Sequence, residues 1–127
     1  VQPRQNAADF TYIDDIVEGV LRCCDKPATA NSEFDPLQPD PATAAAPHRI
    51  FNIGNSQSTE LLRFIEVMEQ ALGREAIKDF QPMQPGDVVA TAAETKALED
   101  WVGFKPSTPI ELGVQNFAEW YRHFYKI

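Results

Sequence analysis

The first periodic pattern in the chain lies in residues 9–24, which read DFTYIDDIVEGVLRCC. Apolar residues recur at positions 13, 16, 17, 20, 21 and 24, a spacing that places them on one face of an α-helix. Thr11, with Asp14 three residues later, resembles a capping box, and acidic residues favour the positive end of a helix dipole. The pattern therefore predicts a helix from Thr11 to Cys24.

Three more helices are predicted further along the chain. Ser58 begins the second, whose apolar stripe runs to residue 72, where Gly73 is suited to a left-handed C-terminal position. A short third helix is predicted from Thr95 to Val102. The fourth begins at the motif Thr-Pro-Ile-Glu of residues 108–111, which combines a capping box with a proline at the first helical position, and it runs to the C-terminus.

Between the helices, two short strands and one long loop are predicted. Residues 49–53 (RIFNI) are rich in β-formers and are stopped by a Gly-Asn pair, which indicates a buried strand and a turn. Residues 78–83 could form a second short strand. The Pro/Ala-rich residues 27–47 contain five prolines and indicate a surface loop, in part disordered. The predicted fold is α+β and helix-dominated, with about four helices and two short strands.

Composition limits the kinds of partner. The 127 residues correspond to about one domain. Eleven basic and nineteen acidic residues give a net charge of −8, which argues against binding to nucleic acid or to an anionic membrane surface. No apolar run approaches the roughly 20 residues of a membrane span. Cys23 and Cys24 are adjacent and cannot supply a disulfide framework, so a reducing, cytoplasmic location is expected.

A self-contained catalytic or metal site is not evident. The two histidines, His48 and His123, and the two cysteines lack the spacing of a zinc site. Asp9, Asp14 and Asp15 could together form a carboxylate cluster for a metal, but helix capping and a solvated edge explain Asp14 and Asp15 better. The chain has neither a Gly-x-Gly-x-x-Gly turn nor a P-loop motif.

Two local features are better candidates for ligand binding. In residues 9–15, Phe10 stands beside hydroxyls and carboxylates at a helix start, a combination that could line a pocket for a flat or hydroxylated ligand. The alternative is that Phe10 and Ile13 form a hydrophobic staple. In residues 84–87 (QPGD), a Pro-Gly turn would hold Asp87 in a fixed position. The alternative there is a plain surface turn.

At these two features the chain resembles a known family. The motifs DFTYIDDIVEG (9–19), FNIGNS (51–56), PMQPGDV (82–88), GFKPST (103–108) and NFAEWY (116–121) occur in the order seen in nucleotide-sugar epimerases. The resemblance is to the C-terminal part of these extended short-chain dehydrogenases/reductases, and is strongest to the UDP-glucuronate 4-epimerase group. It covers almost the whole chain from Asp9 onward.

The resemblance implies a division of labour between two lobes. In this family an N-terminal Rossmann domain binds NAD and carries the catalytic Tyr-x-x-x-Lys, and a smaller C-terminal lobe closes over the nucleotide-sugar. Residues 1–127 would be that nucleotide-sugar-binding domain, without the Rossmann domain, without a cofactor of its own and inactive alone. The Tyr-x-x-x-Lys pattern is absent from the chain. Alternatives are a lobe of a related UDP-sugar epimerase or dehydratase, or a non-catalytic binding module.

Individual residues carry over from the family. The resemblance implies that Phe10, preceded by Asp9, lies against the nucleotide, and that Asp87 accepts hydrogen bonds from the ribose hydroxyls. Gln84 stands where galactose epimerases place an arginine on the diphosphate. Ala8 departs from the family, which usually has an arginine there, and Arg4 is a distant substitute.

The expected partners are a nucleotide-sugar and the N-terminal lobe. Apolar surface that normally faces that lobe would be exposed in the fragment, so dimers or larger species are also expected.

Overall fold

The computed structural model describes residues 7–81, 85, 86 and 88–127. Four helices and two strands lie within this part of the chain, and both numbers agree with the sequence prediction. The strands are β1 (Ala7–Asp9) and β2 (Ser58–Glu60). The helices are α1 (Ile13–Asp25), α2 (Leu61–Leu72), α3 (Lys96–Val102) and α4 (Ile110–Tyr125).

The strands β1 and β2 pair in antiparallel register, with Ala7 opposite Glu60 and Asp9 opposite Ser58. The other edge of β1 is also bonded, because the Ala7 N–H donates to the Val89 carbonyl at 3.0 Å and the Thr91 N–H donates to the Ala7 carbonyl at 3.1 Å. β1 therefore lies between the start of α2 and the segment that leads to α3.

The core is small and helical. α2 packs against α4, and α1 against α3. Arg122 of α4 ties the first pair together, since its Nη2 donates to the last carbonyls of α2, at Ala71 (3.1 Å) and Leu72 (2.8 Å). The buried apolar side chains of the described part are Val67, Leu98, Val114 and Ala118.

Both predicted strands are wrong in position. Residues 49–53 make one bridge, between Arg49 and Thr43, and Ile50 is exposed rather than buried. A strand exists only where a second strand pairs with it, and the backbone bonds found for this segment go to the preceding loop, at Ala42 and Thr43. The described part of the other predicted strand, residues 78–81, has no strand structure, and residues 82 and 83 lie outside the described residues.

The predicted helix starts are one to three residues early, by least in α3, which begins at Lys96 instead of Thr95. α1 begins at Ile13 and α4 at Ile110, and neither has a side-chain cap. Thr11 and Thr108 do not cap their helices: the Thr11 hydroxyl bonds to Asp9, and the Thr108 N–H donates to Asp15 Oδ2 at 2.9 Å. The predicted start of the second helix at Ser58 is wrong because residues 58–60 pair with β1.

The predicted ends of α2 and α3 are confirmed, and those of α1 and α4 differ by one and two residues. Gly73 and Gly103 follow α2 and α3 with φ of 67° and 66°, a left-handed conformation that glycine adopts without steric cost.

The loop of residues 27–47 has more internal bonding than its composition suggests. The Asn31 N–H donates to the Ala44 carbonyl at 2.8 Å, and the side chains of Asn31, Asp35 and Asp40 each accept a backbone N–H two residues on. These are Asx turns, in which a short polar side chain replaces a backbone partner. Two residues after this loop, the Arg49 guanidinium lies 4.2 Å from the ring centre of Trp101 in α3.

The apolar stripe of α1 is present but faces outward. The one buried residue of α1 is Gly19. Four apolar side chains of the helix are exposed, namely Ile13, Val17, Val20 and Leu21. Nothing within the described chain covers this face.

Candidate functional site

Asp9 lies at the centre of the polar contacts between segments. Its Oδ1 accepts the Asn55 N–H at 3.0 Å and the Thr11 hydroxyl at 3.4 Å. Its Oδ2 accepts the Ser56 N–H at 3.0 Å and the Ala93 N–H at 3.3 Å. One carboxylate thus joins the end of β1, the turn at residues 54–56 and the segment at 91–93.

The turn at residues 54–56 is shaped to reach this carboxylate. A Cβ on Gly54 would lie 2.7 Å from Asp9 Oδ2 and 2.6 Å from the Ala93 Cβ, so only glycine fits. Ser56 has a φ of 56°, and its hydroxyl donates to the Ala93 carbonyl at 2.9 Å. The sequence predicted only that Gly54 ends a strand. Its contact with Asp9, which is 45 residues away in the chain, was not predicted.

Phe10 lines an apolar groove beside this polar centre. Its ring stacks on Phe64 of α2, with centroids 4.2 Å apart and planes within 8°. The groove has a volume of about 350 Å³, and Tyr12 forms part of its wall. The Tyr12 ring packs against α4 at Gly113, and its hydroxyl accepts a hydrogen bond from Asn116 at 3.3 Å. Phe10 therefore has one face on Phe64 and lies beside space that a flat ligand could enter.

Gln84 and Asp87, the other two predicted ligand contacts, lie outside the described residues. Between them, Pro85 and Gly86 form a turn, and Gly86 has a φ of 97°. That conformation favours glycine, as the Pro-Gly pattern predicted.

Ala8 lies in β1 opposite Thr59 and is half-buried. Its methyl group offers no donor to a diphosphate. Arg4, the substitute considered from the sequence, lies outside the described residues.

A second, larger cleft of about 860 Å³ opens between the starts of α2 and α4. Arg63 lies in it and donates to Glu111 at 2.9 Å and to Glu66 at 3.4 Å. The hydrogen bonds that Arg63 donates to these carboxylates, the one to Glu111 above all, raise the pKa of Arg63. The pKa of the Glu111 carboxyl is lowered, chiefly by a hydrogen bond from its own backbone N–H and next by the hydrogen bond from Arg63. Arg63 thus bonds to two of the three carboxylates that line this cleft, and the lining is acidic overall.

Asp14 and Asp15 do not form a metal site with Asp9. Asp15 Oδ2 accepts the backbone N–H groups of Ser107 and Thr108, at 3.1 and 2.9 Å, and so joins α1 to the start of α4. Within the described ranges, no group of three or more His, Cys, Asp or Glu side chains could hold a metal ion. No helix of the described part is long and apolar enough to cross a membrane.

The fold matches about a third of the length of solved UDP-sugar 4-epimerases and of a related dehydratase. The UDP-glucuronic acid 4-epimerase from Bacillus cereus, solved with NAD, matches 96% of this chain with 32% of its own length, at a TM-score of 0.67 and 20% identity. The dTDP-glucose 4,6-dehydratase from Bacillus anthracis, also solved with NAD, matches 99% of the chain with 34% of its own length, at a TM-score of 0.68 and 16% identity.

Sequence similarity narrows the class. The chain is 45% identical over 118 residues to protein CapI of Staphylococcus aureus, and 44% identical over 119 residues to a probable UDP-glucuronate 4-epimerase of Rhizobium meliloti. Each alignment covers 93% of this chain and 35% of the relative, so the chain spans about a third of the length of these curated relatives. No protein-family profile matches it. The resemblance to UDP-glucuronate 4-epimerases predicted from the motifs is confirmed.

Proposed function

We propose that this chain is the nucleotide-sugar-binding lobe of an NAD-dependent UDP-sugar 4-epimerase that acts on UDP-glucuronate or a similar sugar. The observation that carries the proposal is the 44% identity over 119 residues to the Rhizobium meliloti relative. The fold supports it less specifically, since an epimerase and a dehydratase match it equally well.

The ligand would be held by the groove and by the turn at residues 84–87. Phe10 offers the edge or free face of its ring to the nucleotide base, and Tyr12 and the apolar wall beside it exclude water. Asp87, which follows Gly86 in the sequence, would accept hydrogen bonds from the ribose hydroxyls. Gln84 would donate its side-chain amide to the diphosphate. In this proposal Asp9 belongs to the site through its position next to Phe10.

NAD does not fit this chain. A dinucleotide crevice is built at the carboxyl ends of parallel strands, with a glycine-rich turn before a helix. The described residues form a two-stranded antiparallel sheet, and the sequence contains no such turn. We therefore place the cofactor and the catalytic tyrosine and lysine on a separate lobe, and assign to this chain the binding and orientation of the substrate.

The exposed stripe of α1 is the surface we assign to that lobe. Ile13, Val17, Val20 and Leu21 form one continuous apolar face. Contiguous apolar surface of this kind is typical of an interface. The curated relatives are about three times as long as this chain, which provides the chain length for such a partner. A cytoplasmic location remains a prediction.

The alternative is a non-catalytic binding module with the same fold. Ala8 favours it, because a charge-assisted contact to the diphosphate would be missing, at a cost of about 2 kcal/mol.

Calorimetry with UDP-glucuronate separates the two proposals. The titration is made on the chain alone and on a chimera in which this chain replaces the matching segment of the Rhizobium meliloti relative. We expect weak binding or none by the chain alone and saturable binding by the chimera. A folded chimera that does not bind UDP-glucuronate would contradict the epimerase proposal and leave the binding module.

A further inference from the structure

We propose that Asp9 is a positioning residue of the nucleotide site, and that it acts by fixing Phe10 against residues 89–93. This inference deepens the proposed function and rests on it.

The hydrogen bonds that the Asp9 carboxylate accepts already fill its acceptor positions. An ionised carboxylate has about four places at which it accepts hydrogen bonds. Asp9 receives four donors, namely the N–H groups of Asn55, Ser56 and Ala93 and the hydroxyl of Thr11. No acceptor position is left for a ribose hydroxyl, so Asp9 contributes through the protein groups that it holds.

The hydrogen bonds of Ala7 and Asp9 position residues 89–93. Ala7 bonds through its backbone to Val89 and Thr91, which follow Asp87 by two and four residues. Asp9 adds two bonds to the same segment: its N–H donates to the Thr91 hydroxyl at 3.3 Å, and its carboxylate accepts the Ala93 N–H. The segment after the Pro85-Gly86 turn is therefore held alongside β1 in one register, directly before Phe10.

Asp40 provides a matched comparison. Its Oδ1 accepts the Ala42 N–H at 2.9 Å within the loop of residues 27–47, and neither residue lines the groove beside Phe10. Replacing either aspartate by asparagine removes a carboxylate from a backbone donor, but only Asp9→Asn weakens the contacts to residues 91–93.

The experiment measures UDP affinity and melting temperature for the chimera and its variants. Asp9→Asn should weaken UDP binding at least tenfold, the equivalent of about 1.4 kcal/mol. KM for UDP-glucuronate should rise while kcat changes less than about threefold, since the reacting atoms are handled elsewhere. Asp40→Asn should lower the melting temperature slightly and leave UDP affinity unchanged. Equal affinities for Asp9→Asn and the unsubstituted chimera, or equal losses for both aspartate variants, would overturn the proposal.

If Asp9→Asn does not fold, Thr91→Val decides, because it removes the hydroxyl that accepts the Asp9 N–H and keeps the carboxylate. Weaker UDP binding by a folded Thr91→Val chimera supports the positioning role, and unchanged binding overturns it. If the unsubstituted chimera itself does not bind UDP, the proposed function fails, and the role of Asp9 fails with it.

Discussion

At the scale of single residues, Gly54 shows how closely the segments around Asp9 approach one another. The glycine leaves room for both the Asp9 carboxylate and the Ala93 methyl group, each under 3 Å from where a Cβ would stand. Two of the backbone donors to Asp9, at Asn55 and Ser56, follow it directly. A side chain here would therefore move the turn away from the carboxylate it serves.

The substitution Gly54→Ala should lower the free energy of unfolding by about 2 kcal/mol, the usual cost of overpacking a fitted site. Gly19→Ala is the matched control, because a Cβ there would make ordinary contacts of 3.5 Å with Ile53 and 3.7 Å with Phe104. In the middle of α1 it should stabilise the chain by up to about 1 kcal/mol. Urea denaturation of both variants measures the difference. If Gly54→Ala were as stable as Gly19→Ala, the close approach described here would be contradicted.

At the scale of elements, the end of α2 is joined to the segment after it by Glu69. Its Oε1 accepts the Ala76 N–H at 2.8 Å and the Lys78 ammonium at 2.6 Å. The bond from Lys78, and then that from Ala76, lowers the pKa of Glu69 from its usual 4.5. The carboxylate thus fastens residues 74–78 back onto the helix from which they emerge.

This contact predicts a dependence of stability on pH. Because the pKa of Glu69 is lower in the folded chain than in the unfolded one, its contribution is fully present above about pH 4.5 and is lost as the pH falls through the folded value. Glu69→Gln should therefore be less stable than the unsubstituted chain at pH 7, and the gap should narrow by pH 3. Lys78→Met should reproduce part of the loss at pH 7. Urea denaturation curves that keep a constant gap between pH 7 and pH 3 would refute this role.

The helices could be predicted from the sequence, and the strands could not. A helix is encoded by local spacing, so the stripes of α1, α2 and α4 and the glycines that end α2 and α3 were visible in the sequence. β1 and β2 have three residues each and pair across about fifty residues, a contact that no local pattern encodes. The early helix starts have the same cause, since Thr11 and Thr108 bond to distant partners instead of capping.

The residues of the candidate site also fall into those that the sequence predicts and those that it does not. Phe10 and the Pro85-Gly86 turn could be found from residue types and motif order. The donors around Asp9 could not, because they come from three segments that only the folded chain brings together.

At the scale of the whole molecule, the most conspicuous feature is the apolar face of α1. Val20 and Leu21 are 48% and 55% exposed in the middle of the helix. Burial of such side chains is normally the main stabilising contribution of an amphipathic helix. The isolated chain therefore carries a surface suited to contact with another protein.

We predict that the isolated chain forms dimers or larger species through this face. Leu21→Gln should shift the population toward monomer, because it places an amide in the middle of the stripe. Leu37→Gln is the control: Leu37 is 89% exposed but lies in the loop away from the stripe. Light scattering over a broad concentration range measures the outcome. A clean monomer at every concentration, or equal effects of the two substitutions, would contradict the prediction.

The central claim is that this chain supplies the substrate-binding lobe of a UDP-sugar 4-epimerase. It is tested most directly by NMR of UDP-glucuronate incubated with NAD and the chimera built on the Rhizobium meliloti relative, beside the chain alone. The account predicts inversion at C4 of the sugar by the chimera, slower inversion by its Asp87→Ala variant and none by the chain alone. A folded chimera that binds NAD but leaves UDP-glucuronate unchanged would contradict the account.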